Sequence, residues 1–227
     1  MTVELSKSIR KCIDISAEFG LLLQCGPAHS LSASEEFKKA TRRVAYYREL
    51  YDTGTKNQDF NLMLSDHSFF QFSQQKNGQE LRFAYYPNPY SFVEYENEKK
   101  AASELLSDGD ISDAEFEQLV SESNFTCDIP LIRYDYSPSQ YCKKYHPAAH
   151  FHIGFRSENR WPVKRAITPV VFFLKILSHY YHEVWQKAED GEGINILEKI
   201  YRSETNSCKI LGADYFSTEE SQKLHFI

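Results

Sequence analysis

The 227-residue chain lacks a CxxC pair, a glycine-rich phosphate loop, a GxSxG motif and any long apolar run. Each absence closes off a class of protein. Cys12, Cys25, Cys127, Cys142 and Cys208 are odd in number and scattered, so they read as small buried apolar residues in a reducing compartment. A disulfide framework or a zinc cage does not fit that spacing. Without a phosphate cradle or a strained serine turn, a P-loop nucleotide hydrolase and an α/β-hydrolase are disfavoured. The longest apolar stretch, Val170–Leu174, is far too short to span a bilayer. Met1–Ile15 does not resemble a signal peptide, because Glu4, Lys7, Arg10 and Lys11 interrupt its apolar pattern. The expectation is a cytoplasmic protein with no membrane association. Excess positive charge is also missing: the net charge of −6 gives no global attraction to nucleic acid, although a local basic patch could still bind it.

Aromatics are plentiful, with 16 Phe and 15 Tyr in a chain long enough to bury a substantial core, which argues against disorder. Leu5, Ile9, Ile13 and Phe19 to Leu23 fall near helical spacing and predict a helix from about Val3 to Leu23, ended by Gly26-Pro27. A second helix begins after Ser34, with Phe37, Ala40, Val44, Tyr47 and Tyr51 as its stripe and Gly54 closing it. The period then shortens. Phe60 to Ser65, Phe69 to Ser73 and Leu81 to Tyr86 predict a three-stranded antiparallel meander, with Lys76-Asn77-Gly78 as a tight turn and Pro87-Asn88-Pro89 as its stop.

Residues 94–122 are acidic and fit two short helices, the second opened by a capping box of Ser112 with Glu115. Glu104 to Glu115 has the outline of a calcium loop, but Leu106 stands where an oxygen ligand is needed, and the cap already explains Glu115. Strands are expected at Ile129 to Tyr136 and Ala149 to Phe155. Thr168-Pro169 should cap a buried helix from Val170 to about Trp185. Another helix is expected near Ile194–Tyr201, and Leu224–Ile227 could add an edge strand. The fold class is therefore α+β: one domain over residues 1–227, mainly an antiparallel sheet with flanking helices and one buried C-terminal helix.

Chemistry concentrates between Arg133 and Arg165, where seven Lys or Arg face two acids. Alternation puts Phe151, Ile153 and Phe155 on the core face and His150, His152 and Gly154 on the other. On the earlier strand Arg133 and Asp135 share a face, with Tyr134 and Tyr136 opposite. If the two strands are neighbours, Arg133, Asp135, His150 and His152 project from one surface, with His146 in the loop that joins them. Imidazole suits proton transfer near neutral pH and arginine stabilises phosphoryl charge, so one chemistry is acid–base catalysis on a phosphate. Alternatively His150 and His152 ligate a divalent metal from one strand face, with Asp135 as third ligand. Arg156, Arg160, Lys164, Arg165, Tyr134 and Tyr136 are candidate substrate-binding residues. The plainer reading is an ordinary ion pair with a solvated basic face. His179 and His182, three apart, read as satisfied core or boundary histidines.

Arg133-Tyr134-Asp135-Tyr136-Ser137-Pro138, His146-Pro147, His150, Gly154, Arg160-Trp161-Pro162-Val163 and Thr168-Pro169 stand in an order that resembles a bacterial family numbered 2290 among domains of unknown function. The resemblance covers roughly residues 128–185. It implies a small, mostly single-domain bacterial protein, and it favours His150 with Arg133 and Asp135 over His152, whose place other residues take in relatives. The Arg-Tyr-Asp then His order also looks like some small toxin families, by analogy alone.

Two function classes follow from these residues, and a third, a partner subunit that uses its aromatic hairpin as an interface, follows from the meander. One is a phosphodiesterase or ribonuclease in a toxin or anti-phage defence setting, with His150 as acid or base, Asp135 orienting a histidine, and Arg133 and Arg160 on phosphate. The other is a binding module that holds nucleic acid, a nucleotide or a protein partner on the same basic face without turnover. No cofactor is required by the sequence, although a divalent metal fits it.

Overall fold

Alternating aromatic and polar residues in the middle of the chain build the sheet. In the computed structural model, which describes residues 2–75, 78–90, 92–123, 130–156, 158–189 and 193–222, seven strands run as an antiparallel meander in chain order. They are β1 (Leu22–Cys25), β2 (Leu62–Leu64), β3 (Phe69–Gln75), β4 (Glu80–Tyr86), β5 (Ile132–Tyr136), β6 (Ala149–Ile153) and β7 (Trp161–Pro162). A separate two-stranded ladder pairs β8 (Arg165–Ala166) with β9 (Lys209–Ile210). The α+β class read from the sequence is the class the chain adopts.

One face of the sheet carries Phe70, Phe72, Phe83, Tyr85, Tyr134 and Phe151, because strand neighbours in register present the same parity. Across it lies α6 (Pro169–Tyr180), whose Thr168 hydroxyl accepts from the Val171 N–H at 3.4 Å. The Phe172 ring meets Phe70, Phe72 and Phe83 edge-on and stacks with Phe151. The helix is buried almost all round, as its composition predicts, since α1 (Thr2–Glu18) packs on it and the Ser8 hydroxyl receives the Val170 N–H. It ends at Tyr181, where the chain restarts as α7 (His182–Lys187), so the single helix expected to run to Trp185 is two.

The opposite face divides into an aromatic part and a polar part. Phe69 and Tyr86 stack at 4.6 Å between centroids. They lie under α2 (Glu35–Arg43) and α3 (Tyr47–Lys56), which place Phe37 against Tyr86 and Tyr51 against Phe69. Further along, Ser73, Arg82 and Asp135 make a polar row.

Other helical boundaries also differ from the sequence reading. α1 stops at Glu18 because Gly20 takes a left-handed φ of 67° and the Leu21 N–H returns to the Ser16 carbonyl, which frees Leu22–Cys25 to become β1. The helix expected from Ser34 to Gly54 breaks at Val44, which is extended; the break lets Phe37 reach Tyr86 while Tyr47 reaches Phe155. Gly54 does not close α3 but lies within it, where a Cβ would come within 2.8 Å of both Phe37 and Phe69 ring atoms. Alanine would gain about 1 kcal/mol of helix propensity there, whereas displacing two buried rings costs about 1–3 kcal/mol or more. Gly54→Ala is therefore expected to lower the urea midpoint despite the better helix former. An unchanged or raised midpoint would show the rings give way freely.

Helices α4 (Phe92–Ser107) and α5 (Asp113–Ser123) pack on each other in a second unit, Asn88–Ile129, inserted in sequence between β4 and β5. Gly109, at φ 77°, follows α4, and Ser112 caps α5 reciprocally with Glu115. The Glu115 carboxylate is spent on that cap, which removes it from the calcium-loop outline. The remaining helices, α8 (Ile196–Ser207) and α9 (Thr218–Gln222), belong to the first unit, and α8 packs on α6. Lys76-Asn77 of the expected turn and Leu224–Ile227 of the expected edge strand lie outside the described residues. Cys12 and Cys208 are buried as expected, but Cys25 and Cys142 are exposed, because β1 is an edge strand and Cys142 lies in a surface loop. Among the described residues no helix is long and apolar enough to cross a membrane.

Candidate active site

Two lateral lines of side chains cross the open part of the sheet. Ser73, Arg82, Asp135, His150 and Pro162 are partners in one line, and Ala84, Arg133 and His152 in the next. The neighbouring of β5 and β6 assumed from the sequence is therefore present, and parity puts Arg133, Asp135, His150 and His152 on one face. The connection between these strands folds back tightly through a 3-10 turn at Pro138–Gln140 and a Cys142–His146 bridge. It sets the His146 ring edge-on to His150, 5.0 Å between centroids. Together with Arg160 and Glu80 these groups line a cavity of about 220 Å³.

The histidines do not project into solvent as expected. His150 is 1% exposed and His152 is also buried, because the returning loop and Pro162 of β7 cover them. Their hydrogen bonds fix how the protons sit. His150 Nδ1 lies 2.9 Å from the Pro147 carbonyl, an oxygen that can only accept, so Nδ1 carries the hydrogen and Nε2 presents a lone pair. That lone pair lies 3.0 Å from His152 Nε2, which is the donor in the contact and is also 3.5 Å from Asp135 Oδ2. Asp135 accepts from Arg82 Nε on Oδ1 and from Arg133 Nε on Oδ2, both at 3.0 Å. His146 Nδ1 is buried without a hydrogen-bond partner.

Electrostatics follow this packing. Burial alone would raise the Asp135 carboxyl, but the His152 hydrogen bond and the Arg82 and Arg133 charges outweigh it and hold the group well below the usual carboxylate range. Burial, reinforced by the neighbouring His152, lowers the His150 imidazole to about 4. Burial and then the Arg160 charge lower His146 as well. A neutral His150 at pH 7 offers an electron pair, not a proton. Asp135, His150 and His152 also present one ligand atom each within 4.8 Å of the others, a donor set that suits a metal ion.

The structure brings Arg133, Asp135, His146, His150, His152 and Arg160 together around the cavity; Tyr136 borders it too, but its parity is that of Leu81 and Tyr134, on the opposite face. It keeps others away. Tyr134 is fully buried on the core face, where its hydroxyl donates to the Arg165 carbonyl and accepts from the Ile167 N–H. The Arg165 guanidinium donates to the Thr205 and Cys208 carbonyls, tying β8 to the end of α8. Arg156 lies over the Phe155 ring at a left-handed φ of 57°, and Lys164 is exposed. Trp161 pairs with Phe151 at the sheet edge. His179 and His182 are exposed and bonded within their own helices.

Sequence reasoning missed Arg82 and Glu80, the latter accepting from the Ser137 and Ser139 hydroxyls at the cavity wall. Parity was the available signal for Arg82, since Leu81, Phe83 and Tyr85 take the other face.

No curated protein and no solved structure matches the chain. Residues 24–227 match the model of the family described as "Uncharacterized conserved protein (DUF2290)". The match extends well beyond the 128–185 stretch that carries the motif resemblance, so it takes in the whole sheet from β2 to β7, and the chain belongs to that family.

Proposed function

We propose that this cavity is the active site of a phosphodiester-cleaving enzyme of the ribonuclease or phosphodiesterase kind. The observation that carries the reading is the convergence of three arginines and three histidines, with the carboxylates of Asp135 and Glu80, on a single small cleft. Phosphoryl transfer needs donors to hold the anion and an electron pair to activate the attacking oxygen. Arg82 and Arg133 each spend Nε on Asp135, which leaves the outer donors of each fork for phosphate oxygens. Arg160 stands at the rim with its side chain exposed. The His150 lone pair borders the same space; it accepts from His152 Nε2, which Asp135 positions, so an attacking hydroxyl takes it up by displacing that donor.

Nucleic acid suits this cleft because a large exposed aromatic adjoins a histidine that lines it. Tyr145 precedes His146 and is 78% exposed, whereas Trp161 takes the Phe151 face of the sheet, away from the cleft. Tyr145 could stack on a base while the arginines hold the backbone. The test is cleavage of RNA, single-stranded DNA and a chromogenic phosphodiester by the purified chain, with and without divalent metal, compared with His150→Ala. Cleavage by the wild type that His150→Ala loses supports the assignment. Equal cleavage by both rejects it. Salt-sensitive nucleic-acid binding with no turnover under any condition would make the face a binding module instead.

A further inference from the structure

We infer that Asp135, His150 and His152 form a binding site for one divalent transition-metal ion. This deepens the hydrolase reading by naming the cofactor of the same cleft, but it stands on ligand geometry alone. Two ligand atoms about 2.1 Å from one ion, at angles of 90–110°, lie about 3.0–3.4 Å apart. His150 Nε2 and His152 Nε2 are 3.0 Å apart, and His152 Nε2 and Asp135 Oδ2 are 3.5 Å apart. All three donor atoms fall within 4.8 Å of one another, so small side-chain shifts, with the His152 hydrogen moving from Nε2 to Nδ1, bring them onto one ion.

The surroundings are built as metal sites are. A ligating histidine donates its second ring N–H to a carbonyl or carboxylate, and that bond fixes the ring so the other nitrogen faces the ion. His150 does this through Nδ1 to the Pro147 carbonyl. The carboxylate ligand is itself held, by Arg82 and Arg133. The cavity leaves room for water or a substrate oxygen at open positions, and the buried His146 Nδ1 beside it lacks a partner that such a water would supply. Two imidazoles and one carboxylate select zinc, manganese or iron(II) over magnesium, which prefers an all-oxygen shell.

The two arginines on Asp135 oppose a cation, and that opposition has a consequence. With an ion bound, the cleft carries excess positive charge that an anion relieves, so metal and phosphate should bind cooperatively. Linkage requires each to tighten the other by the same factor, here about fivefold or more.

The test is calorimetric titration of Zn²⁺ and Mn²⁺ into the chelator-stripped full chain, with and without inorganic phosphate, and with Mg²⁺ as comparison. Expected are one transition-metal ion per chain, an affinity at least tenfold weaker for His150→Gln and for His152→Gln, no change for the exposed His182→Ala, and tightening by phosphate. The glutamine variants keep a polar side chain of similar size, and circular dichroism confirms their fold. A Co²⁺-loaded sample reads the same ligands through its visible absorption, which each glutamine variant should alter. The inference is overturned if Zn²⁺ and Mn²⁺ do not bind, if the glutamine variants bind as tightly as the wild type, or if Mg²⁺ binds best. Turnover that persists in chelator would leave the hydrolase reading standing without the metal. Stoichiometric metal without turnover would leave the metal site standing without the hydrolase.

Discussion

Asp135→Ala is expected to destabilise the protein by about 2–4 kcal/mol, measured as a lower urea midpoint at pH 7 with an unchanged slope. The Asp135 carboxylate is 14% exposed and accepts from two guanidinia while facing an imidazole. Removing it leaves Arg82 and Arg133 next to each other over a buried histidine pair with no counter-charge. A fully buried pair broken in this way costs about 3–5 kcal/mol. The estimate is lower here because the Arg82 and Arg133 side chains are 58% and 34% exposed, so water screens part of the loss.

Asp135→Asn keeps the shape and one acceptor and should cost less. Its deficit should also vary with pH. A carboxyl held below its usual range in the folded state adds stability that is complete above the unfolded value of about 4 and disappears as pH falls through the folded one. The gap between wild type and Asp135→Asn should therefore be constant from pH 7 to 5 and shrink below about pH 4. A loss under 1 kcal/mol for Asp135→Ala at pH 7 would mean the arginines find equal partners elsewhere.

How much of this site could be read from the chain depends on which contacts are local. The alternation in 133–136 and 149–153 assigns faces correctly, because side-chain parity along a strand is a local property, but it fails at Phe155, where β6 has ended, Gly154 takes a φ of 101° and the ring meets Tyr47 of α3 on the other face. The same alternation already places Tyr134 in the core, so its candidacy as a binding residue conflicts with the parity that selected Arg133 and Asp135. Arg82 escapes notice for a different reason. Its line across the sheet to Asp135 depends on β4 and β5 pairing across the Asn88–Ile129 insertion, and nothing in the 94–122 acidic stretch signals that the sheet resumes beyond it.

The burial of His150 and His152 is likewise tertiary. It comes from the return of the Ser137–Pro147 loop and from Pro162, whose pairing with β6 spans only two residues. Arg165 looks like a member of the basic patch in sequence, but it is taken by α8 carbonyls 40 and 43 residues away. At the helix ends, the missed stop of α1 was visible in principle, since Gly20 is the left-handed residue that commonly follows a final turn. The break at Val44 carries no such mark; it reflects which aromatic rings each half must reach.

Lowering the pH from 6.5 to about 4 is expected to cost the chelator-treated protein roughly 3 kcal/mol of stability through His150 alone. An unfolded histidine takes up a proton near pH 6.5, whereas the folded His150 resists protonation until about 4. Between those values the unfolded state binds more protons, so stability falls as pH falls, by about 1.4 kcal/mol per pH unit. The cause is burial first and then the groups around the ring. His152 and His146 oppose a new positive charge on His150, while Asp135 and the Pro147 carbonyl favour it. Arg160 works against protonation of His146, whose own lowered value adds a loss of the same sign. His150→Gln keeps a donor for the Pro147 carbonyl but cannot titrate, so its stability should change much less across the window. The measurement is urea unfolding of both proteins at half-unit steps from pH 7.5 to 4.5, with chelator present so that ion release does not contribute. Parallel profiles for wild type and His150→Gln would show that the imidazole is hydrated in the folded protein and that the loop does not seal the cleft.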